Sequence, residues 1–295
     1  MIKKIEDYLE ELKKELKGSD PALIQDALSD AEEHLRVALD EILIHNTNLS
    51  EKEALLSIIE EYGTPEETAS AYKRIEFRTK HSLSMPRKRE TGTVLQKFFS
   101  VLAAPHAWGT FLYMVISFLT GCIFGGWAFL GTIVSFFSLL FVFTIPIAAL
   151  FLLSLRGIAL IEGRIIEATT GTRMPRKPLF VKHDLNSKEK FKALFRESQT
   201  WKILIYFLLQ FPLGLLYSLL ALGLFVFSLS FILSPLLELV FHLPLELFGT
   251  NAFTPIWLLP FVTLIGIILL TSIFHLAKFL GKLHGRYAKF MLVRK

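Results

Sequence analysis

The chain has 295 residues, of which 52% are hydrophobic, and its mean hydropathy of +0.48 is higher than that of ordinary soluble proteins. Residues 1–80 carry 19 acidic and 11 basic side chains, whereas residues 81–295 carry 8 acidic and 21 basic ones. The basic excess lies beside apolar segments, so the pI near 9.2 does not indicate direct nucleic-acid binding. The single cysteine, Cys122, excludes an intrachain disulfide.

Residues 1–80 are predicted to form a small acidic domain of four helices. Apolar residues from Ile2 to Leu16 recur at spacings of three and four, which is the stripe of an amphipathic helix. Three further helices are predicted to begin at cap signals, namely Asp20-Pro21, Ser50 with Glu53, and Thr64 with Glu67. The last helix should turn Ile75 toward the core of the domain.

The sequence of this domain resembles the HAAS signalling domain of bacterial membrane proteins. The resemblance rests on Tyr8-Leu9 with Leu12, on the D-A-E-E-H-L run at Asp30–Leu35, and on the Y-G-T-P-E-E-T run at Tyr62–Thr68. It implies a cytoplasmic domain that passes a signal to a separate partner, such as a PadR-like transcriptional regulator. His34 lies in the E-H pair, and we expect it to be a surface histidine rather than a ligand or phosphoacceptor.

Two long apolar stretches predict that the rest of this all-α chain crosses a membrane four times. Phe98–Leu155 contains no Asp, Glu, Lys or Arg, and Ile203–Ala277 contains only Glu238 and Glu246. About 20 apolar residues cross the hydrocarbon as a helix, so each stretch accommodates two spans. The predicted spans are residues 108–126, 131–155, 201–224 and 257–279, within a membrane domain at 108–295 that follows a basic linker at 81–107. Glycines 125, 126 and 131 should form the turn of the first hairpin.

The positions of lysine and arginine predict the orientation of the spans. The 47-residue loop from Arg156 to Lys202 has 11 basic and 5 acidic side chains. The turn near Gly126 and the loop after Ser234 have neither lysine nor arginine. Because basic loops stay inside the cell, both termini and the central loop are predicted to be cytoplasmic, with the protein in the inner (plasma) membrane.

The membrane part also contains matching positions that indicate an internal repeat. Trp108 and Trp201, Tyr113 and Tyr206, and Gly121 and Gly214 are each 93 residues apart. The dipeptide Gly163-Arg164 recurs 122 residues later as Gly285-Arg286. This pattern predicts two hairpins that enter the membrane from the same side and are related by an axis along its normal.

An amphipathic segment follows each hairpin and is predicted to lie at the surface of the lipid bilayer. The first is Arg156–Ala168, with Glu162 on its polar side, and the second is Lys278–Met291. Aromatic and basic side chains near the ends of the spans are the predicted membrane-interface anchors: Trp108, Tyr113, Trp201, Tyr206, Trp257, Arg156, Arg164, Lys278 and Arg286.

The membrane part from Trp108 to Leu292 resembles a four-span sensor domain that occurs ahead of bacterial sensor histidine kinases and in stand-alone proteins. The resemblance is carried by R-G-x-A-x-x-E-G-R at Arg156–Arg164, Met174–Arg176, W-K-x-L-x-Y-x-L-L at Trp201–Leu209, and Pro212-Leu213-Gly214. No phosphoacceptor or ATP-binding domain follows within the 295 residues. A signal is therefore expected to leave through a separate partner.

Catalytic motifs are missing from the sequence, which predicts neither an enzyme nor a cofactor. There is no Walker loop, dinucleotide fingerprint, zinc-protease helix or G-x-S-x-G elbow. Glu238, His242 and Glu246 are spaced at i, i+4 and i+8, so one helical face could bind a divalent metal or respond to pH. The polar face of an interfacial helix explains the same spacing more simply, and Pro244 interrupts it.

These features favour a non-catalytic bacterial membrane sensor that relays an envelope or lipid signal to a cytoplasmic regulator through residues 1–80. The alternatives are a small permease or lipid-handling protein, and a scaffold for other membrane proteins. The predicted spans lack the buried charges that are typical of ion-coupled transporters. A scaffold should co-purify with membrane proteins and a sensor with a soluble one. Homo-oligomerisation is left open.

Overall fold

The protein divides into two compact units. The computed structural model describes residues 2, 4–45, 50–83, 93–138, 145–177, 194–243, 245–247, 250–252 and 254–294. The first unit comprises Met1–Arg89, Arg173–Thr200 and Lys289–Lys295, and the second comprises Glu90–Thr172 and Trp201–Ala288. The first unit therefore includes later segments that were not part of the domain predicted at 1–80. Residues 84–92 of the predicted linker lie outside the described residues.

Four helices make up the N-terminal part of the first unit: α1 (Ile5–Glu15), α2 (Pro21–His45), α3 (Glu51–Tyr62) and α4 (Pro65–Leu83). Their starts match the predicted cap signals. The Ser50 hydroxyl accepts a hydrogen bond from the Glu53 amide at 3.3 Å, and the Glu53 carboxylate accepts one from the Ser50 amide at 3.2 Å. Thr64 forms the same reciprocal pair with Glu67, which lowers the pKa of the Glu67 carboxyl.

The apolar faces of these helices share one core, which is formed by Ile5, Tyr8, Leu12, Leu16, Ala27, Ala31, Leu35, Leu39, Ala54, Leu55, Ile58, Ile59 and Ala69. The prediction for Ile75 is wrong, because its side chain is 61% exposed on α4. His34 is exposed and stacks on the ring of Tyr62, with ring centroids 4.5 Å apart. It is therefore a surface histidine, as expected.

Replacing Tyr8 with phenylalanine should destabilise the first unit by about 1 kcal/mol. The Tyr8 hydroxyl is fully buried, donates to the Gly63 carbonyl at 2.9 Å and lies 2.9 Å from the Thr68 hydroxyl. The change therefore leaves the buried Thr68 hydroxyl and the half-buried Gly63 carbonyl with one partner fewer. The effect is measured by unfolding the full chain in detergent with a chemical denaturant and using protease cleavage within residues 1–83 as the readout of unfolding. Equal stability of Tyr8→Phe and wild type would contradict it.

The second unit contains the long apolar helices. Its elements are α5 (Val94–Phe99), a 3₁₀ turn (Ser100–Ala103), α6 (Pro105–Thr120), a π-helical turn (Gly121–Gly125), α7 (Gly126–Ser138), α8 (Ile145–Thr170), α9 (Ser198–Leu239), β1 (Leu245–Leu247), β2 (Thr250–Ala252) and α10 (Leu259–Leu292). The two strands pair antiparallel, with Glu246 opposite Asn251. Among the described residues, four stretches are long and apolar enough to cross a membrane: Pro105–Phe137, Pro146–Thr170, Ser198–Leu239 and Leu259–Leu292.

The predicted turn of the first hairpin is wrong. The chain continues as helix from α6 through the π-helical turn into α7, and the connection to α8 falls at residues 139–144, outside the described residues. Gly125 and Gly131 instead permit close packing. A Cβ on Gly125 would lie 2.9 Å from the Phe207 carbonyl oxygen, and one on Gly131 would overlap the Phe151 ring.

The two predicted interfacial helices are also wrong as separate elements. Arg156–Ala168 is the second half of α8, and Lys278–Met291 is the end of α10. Each apolar span therefore continues without a break into the amphipathic sequence that follows it. In a continuous helix the same face stays turned inward along its whole length. Charged residues on that face of the extension therefore lie in the interior.

Candidate functional site

Five polar side chains from four helices meet in the interior of the second unit. Tyr113 comes from α6, Glu162 from α8, Tyr206 and Gln210 from α9, and His284 from α10. None of the five is more than 2% exposed. Because each helix brings an apolar face to the same interior, polar groups at inward positions are brought together there.

Glu162 is the acceptor at the centre of this polar cluster. Its Oε1 accepts hydrogen bonds from the Tyr113 hydroxyl at 2.9 Å, from the Gln210 amide at 2.9 Å and from the Tyr206 hydroxyl at 3.3 Å. The same Gln210 nitrogen also donates to the Thr120 hydroxyl at 3.2 Å. Three donors on one oxygen stabilise negative charge on the carboxylate and offset part of its burial cost.

His284 lies on the other side of the two tyrosines. Its Nε2 is 2.5 Å from the Tyr113 hydroxyl and 3.1 Å from the Tyr206 hydroxyl. The rings of Tyr217 and Tyr287 are also close, with centroids 5.5 Å and 5.9 Å from the imidazole. The imidazole and the carboxylate are therefore linked through shared tyrosine hydroxyls.

Three atoms of this cluster are buried without a hydrogen-bond partner among the described residues. They are Glu162 Oε2, Gln210 Oε1 and His284 Nδ1. Buried polar atoms usually have partners, so each exception calls for an explanation. Glu162 Oε2 and His284 Nδ1 are the remaining basic atoms of groups that take up protons, whereas Gln210 Oε1 is the oxygen of an amide, which does not titrate.

Glycines bring the helices of the cluster close together. A Cβ on Gly214 of α9 would lie 2.1 Å from the Ser117 carbonyl oxygen of α6. A Cβ on Gly121 would lie 2.8 Å from the Gln210 carbonyl oxygen of α9. The contact is reciprocal, because Gly121 and Gly214, like Ser117 and Gln210, are 93 residues apart.

Three of the predicted interface anchors do not lie at the surface. Tyr113 and Tyr206 belong to the buried cluster, and Arg156 is only 5% exposed. The tryptophans differ, since Trp108, Trp201 and Trp257 are 47%, 45% and 69% exposed. Arg164 and Arg286 are exposed and Lys278 is half-buried. For these residues the interface position stays a prediction.

The predicted helical face of Glu238, His242 and Glu246 is wrong. Helix α9 ends at Leu239, His242 has a positive φ of 53°, and Glu246 belongs to β1. The Glu238 carboxylate instead accepts hydrogen bonds from the Thr254 amide at 2.8 Å and the Thr254 hydroxyl at 2.7 Å. No group of three His, Cys, Asp or Glu side chains suited to a metal occurs among the described residues.

A second polar site lies within the first unit, where residues 173–177, here called the strap, contact α2. The Asp26 carboxylate accepts hydrogen bonds from the amides of Arg176 at 2.6 Å and Lys177 at 3.3 Å. Arg173 lies 3.7 Å from the same carboxylate. The Lys177 ammonium contacts Asp30 and Glu33, each at 2.5 Å. The acidic α2 thus binds the segment that follows α8.

The C-terminal segment of the chain contacts the same helix within this unit. Lys289 pairs with Asp20 at 2.5 Å, and the Arg294 amide donates to Gln25 Oε1 at 3.3 Å. Gln25 Nε2 also donates to the Lys177 carbonyl at 3.1 Å. The beginning of α2 and the Asp20 residue before it therefore contact both the strap and the C-terminal segment.

Burial raises the pKa of Asp26, against the opposing effect of the hydrogen bonds from Arg176 and Lys177 and of the Arg173 charge. The folded unit consequently keeps a proton on this carboxyl at a higher pH than the unfolded chain does. Mild acidification therefore favours the folded form at this residue, and the protonated carboxyl can still accept both amides. The hydrogen bonds to Asp30 and Glu33 raise the pKa of Lys177, which stays charged.

The sequence pattern did not assign the central cluster, because it placed Glu162 on a water-facing side and did not single out His284. A signal was nevertheless present. Glu162 and His284 are 122 residues apart, which is the spacing of the repeated Gly-Arg pairs next to them, and Tyr113 and Tyr206 are 93 apart. Polar residues at matched positions of a repeat would meet near its axis.

Comparison with known proteins assigns the membrane part of the chain to a family. No curated protein and no solved structure matches the chain. A family model described as "Putative sensor" matches residues 113–292, which is more than half of the chain and includes all five residues of the cluster. The match does not cover residues 1–80, so the resemblance to the HAAS domain stays a prediction. The chain belongs to this sensor family.

Proposed function

We propose that the chain is a membrane signalling protein whose apolar helices respond to a condition of the envelope or lipid and whose acidic α2 passes the response to a soluble cytoplasmic regulator. The observation that carries the proposal is that α2 contacts two segments, each of which continues from a membrane helix. The strap begins three residues after α8 ends, and α10 continues to Leu292. Both contact α2 through Asp26, Lys177, Lys289 and Gln25.

A shift or rotation of α8 moves the strap, since only residues 171 and 172 separate them. Because the strap occupies the carboxylates of Asp26, Asp30 and Glu33, its release exposes these acidic groups on α2. A basic surface on a regulator fits these groups. The positive-inside distribution of lysine and arginine supports a cytoplasmic position for this surface. Since the sequence contains no catalytic motif, the proposal includes no catalytic step.

Asp26→Ala should release the strap. The change removes the acceptor of two amides and should speed hydrogen exchange at Arg176 and Lys177 about tenfold, as expected for a loss of about 1.4 kcal/mol. Asp26→Asn keeps an acceptor oxygen at the same place and is the matched control. Exchange rates in Asp26→Ala that equal those of Asp26→Asn would contradict the role of this carboxylate.

The signalling role is tested by cross-linking and affinity capture from the native host with the full chain as bait. We expect wild type to capture a soluble regulator, and Asp26→Ala to change the yield of that same protein while Asp26→Asn does not. Failure to capture any soluble regulator, or an equal yield from all three chains, would refute the proposal.

An ion-coupled permease is the second candidate, and the buried Glu162 with His284 is the observation that favours it. The sequence indicated no buried charge in the spans, and the structure corrects this for Glu162 and Arg156. Against transport, Glu162 Oε2 and His284 Nδ1 are buried away from solvent. Ion or substrate flux into vesicles that contain the purified chain would favour the permease.

A further inference from the structure

We propose that Tyr113, Glu162, Tyr206 and His284 form a proton-binding site between the membrane helices, in which Glu162 and His284 accept the proton and Tyr113 transfers it between them. This inference goes beyond the proposed function, because it concerns the membrane helices alone and does not require a regulator. The ligand is a proton rather than a larger species. A proton needs no cavity, and the atoms left without a partner lie where water does not reach.

The hydrogen bonds define the resting state of the site. Tyr113, Tyr206 and Gln210 all donate to Glu162 Oε1, so this oxygen is best described as part of a carboxylate. With the Tyr113 proton directed at Glu162, the Tyr113 oxygen is free to accept from His284 Nε2 at 2.5 Å. The imidazole is then the Nε2–H tautomer, and its bare Nδ1 is the atom found without a partner.

An added proton has two places to bind, Glu162 Oε2 and His284 Nδ1, which are the unpartnered basic atoms of the site. Binding at His284 Nδ1 gives an imidazolium, and binding at Glu162 Oε2 gives a neutral acid. A proton bound at His284 also reaches Glu162 in a balanced step. His284 Nε2 gives its proton to the Tyr113 oxygen, and Tyr113 gives its own proton to Glu162 Oε1. The products are a neutral acid protonated at Oε1 and a neutral imidazole that carries its proton on Nδ1, and Tyr113 keeps one proton throughout.

The groups that face the site come from every helix around it. Tyr113 is on α6, Tyr206 and Tyr217 are on α9, and Tyr287 lies beside His284 on α10. Arg156, six residues before Glu162, is the other buried charged side chain of α8. The groups hydrogen-bonded to Glu162 are hydroxyls and an amide, so a proton is what neutralises its charge at the site itself.

Proton binding is coupled to helix packing, because the site is closed in the described state. A proton enters only when α6, α8, α9 and α10 separate enough to admit water to Glu162 Oε2 or His284 Nδ1. Since Glu162 and His284 share the two tyrosines, they titrate as a pair rather than as independent groups. The protonation state of the pair therefore favours one arrangement of the four helices over another.

The test is infrared difference spectroscopy of the full chain in lipid vesicles between alkaline and acidic buffer. Acidification protonates other carboxyls as well, Asp26 among them. We expect the protonated-carboxyl signal of wild type to contain a component from Glu162 that is lost in Glu162→Gln, while the components of the other carboxyls remain. The matched control, Glu167→Gln, changes a partly exposed carboxyl five residues later on α8 and should keep the Glu162 component. Should Glu162→Gln not fold, Glu162→Asp should shift this component instead. No pH-dependent signal in wild type, or an unchanged signal in the Glu162 variant, would overturn the proposal.

Two further variants separate the roles of Tyr113 and His284. Tyr113→Phe removes the hydroxyl that joins the two groups, and His284→Asn removes the second proton acceptor. Each should move the midpoint of the Glu162 component, because coupled groups change each other's titration. A midpoint that is the same in both variants as in wild type would show that Glu162 titrates alone and would overturn the paired site. The readout involves no regulator, so its failure is distinct from failure of the signalling proposal.

Discussion

Truncation of Glu162 to alanine should destabilise the membrane helices by about 3 kcal/mol. The change removes the one oxygen to which Tyr113, Tyr206 and Gln210 all donate, and these three donors are at most 1% exposed. Gln210 keeps the Thr120 hydroxyl as an acceptor, and His284 Nε2 is within reach of one tyrosine hydroxyl. One buried hydroxyl is then left without a partner, at a cost of about 1–3 kcal/mol, and the cavity left by the side chain adds to this cost. Unfolding of the purified chain by a denaturing detergent, followed by circular dichroism, measures the difference.

Glu167→Ala is the matched control for this experiment. Glu167 is on the same helix and pairs with Arg164 at 3.0 Å, but both side chains are partly exposed. Exposed ion pairs contribute about 0–1 kcal/mol, so this variant should unfold close to wild type. Should Glu162→Ala and Glu167→Ala unfold at the same detergent concentration, the polar cluster would not contribute to the stability of the helices.

A single methyl group at Gly214 should also have a large effect. The Cβ of alanine would lie 2.1 Å from the Ser117 carbonyl oxygen and 2.6 Å from its carbon, so the backbones of α6 and α9 must move apart. Overpacking of this kind costs about 1–3 kcal/mol, and the upper end applies because the clash is with backbone. The separation also lengthens the hydrogen bonds of Tyr113 and Gln210 to Glu162. The same detergent unfolding measures the loss of stability.

Gly223→Ala makes the same chemical change on the same helix without a clash, because nothing lies within 4 Å of the added methyl. Alanine in a helix is favoured over glycine by about 0.5–1 kcal/mol, so this variant should be as stable as wild type or more stable. The two alanine variants should therefore shift the unfolding transition in opposite directions. A shift in the same direction for both would contradict the close approach of α6 and α9.

The local signals of the sequence predicted the first four helices well. The starts of α3 and α4 depend on hydrogen bonds between residues three positions apart, such as Ser50 with Glu53, and at the start of α2 the Asp20 carboxylate accepts from the Ala22 amide. This chemistry is visible in the sequence. The presence of four spans was likewise visible, because length and lack of charge are enough to predict two in each apolar stretch, although the break between the first two was placed too early. Both kinds of signal are independent of how distant parts of the chain pack.

The errors arose where contacts between distant parts of the chain determine the structure. A glycine in an apolar stretch is compatible with a turn and with close helix contact, and Gly125 makes the second through Phe207 of α9. An amphipathic pattern is likewise compatible with a lipid surface and with a bundle interior, and Glu162 is in the interior. Tyr113 and Tyr206 have the spacing and chemistry of interface anchors, but the carboxylate they bind lies on another helix.

The length of α9 has a consequence for the surrounding lipid. A helix of 42 residues is about 63 Å long, whereas the hydrocarbon core is about 30 Å thick. Even at a tilt of about 40°, the upper end of the observed range, its projection on the bilayer normal is about 48 Å. The excess is taken up by polar end residues such as Ser198–Lys202 extending out of the hydrocarbon, by bending at Pro212 or Pro235, or by locally thickened lipid. Acyl-chain length in the host membrane is therefore expected to affect the helix that contributes Tyr206 and Gln210.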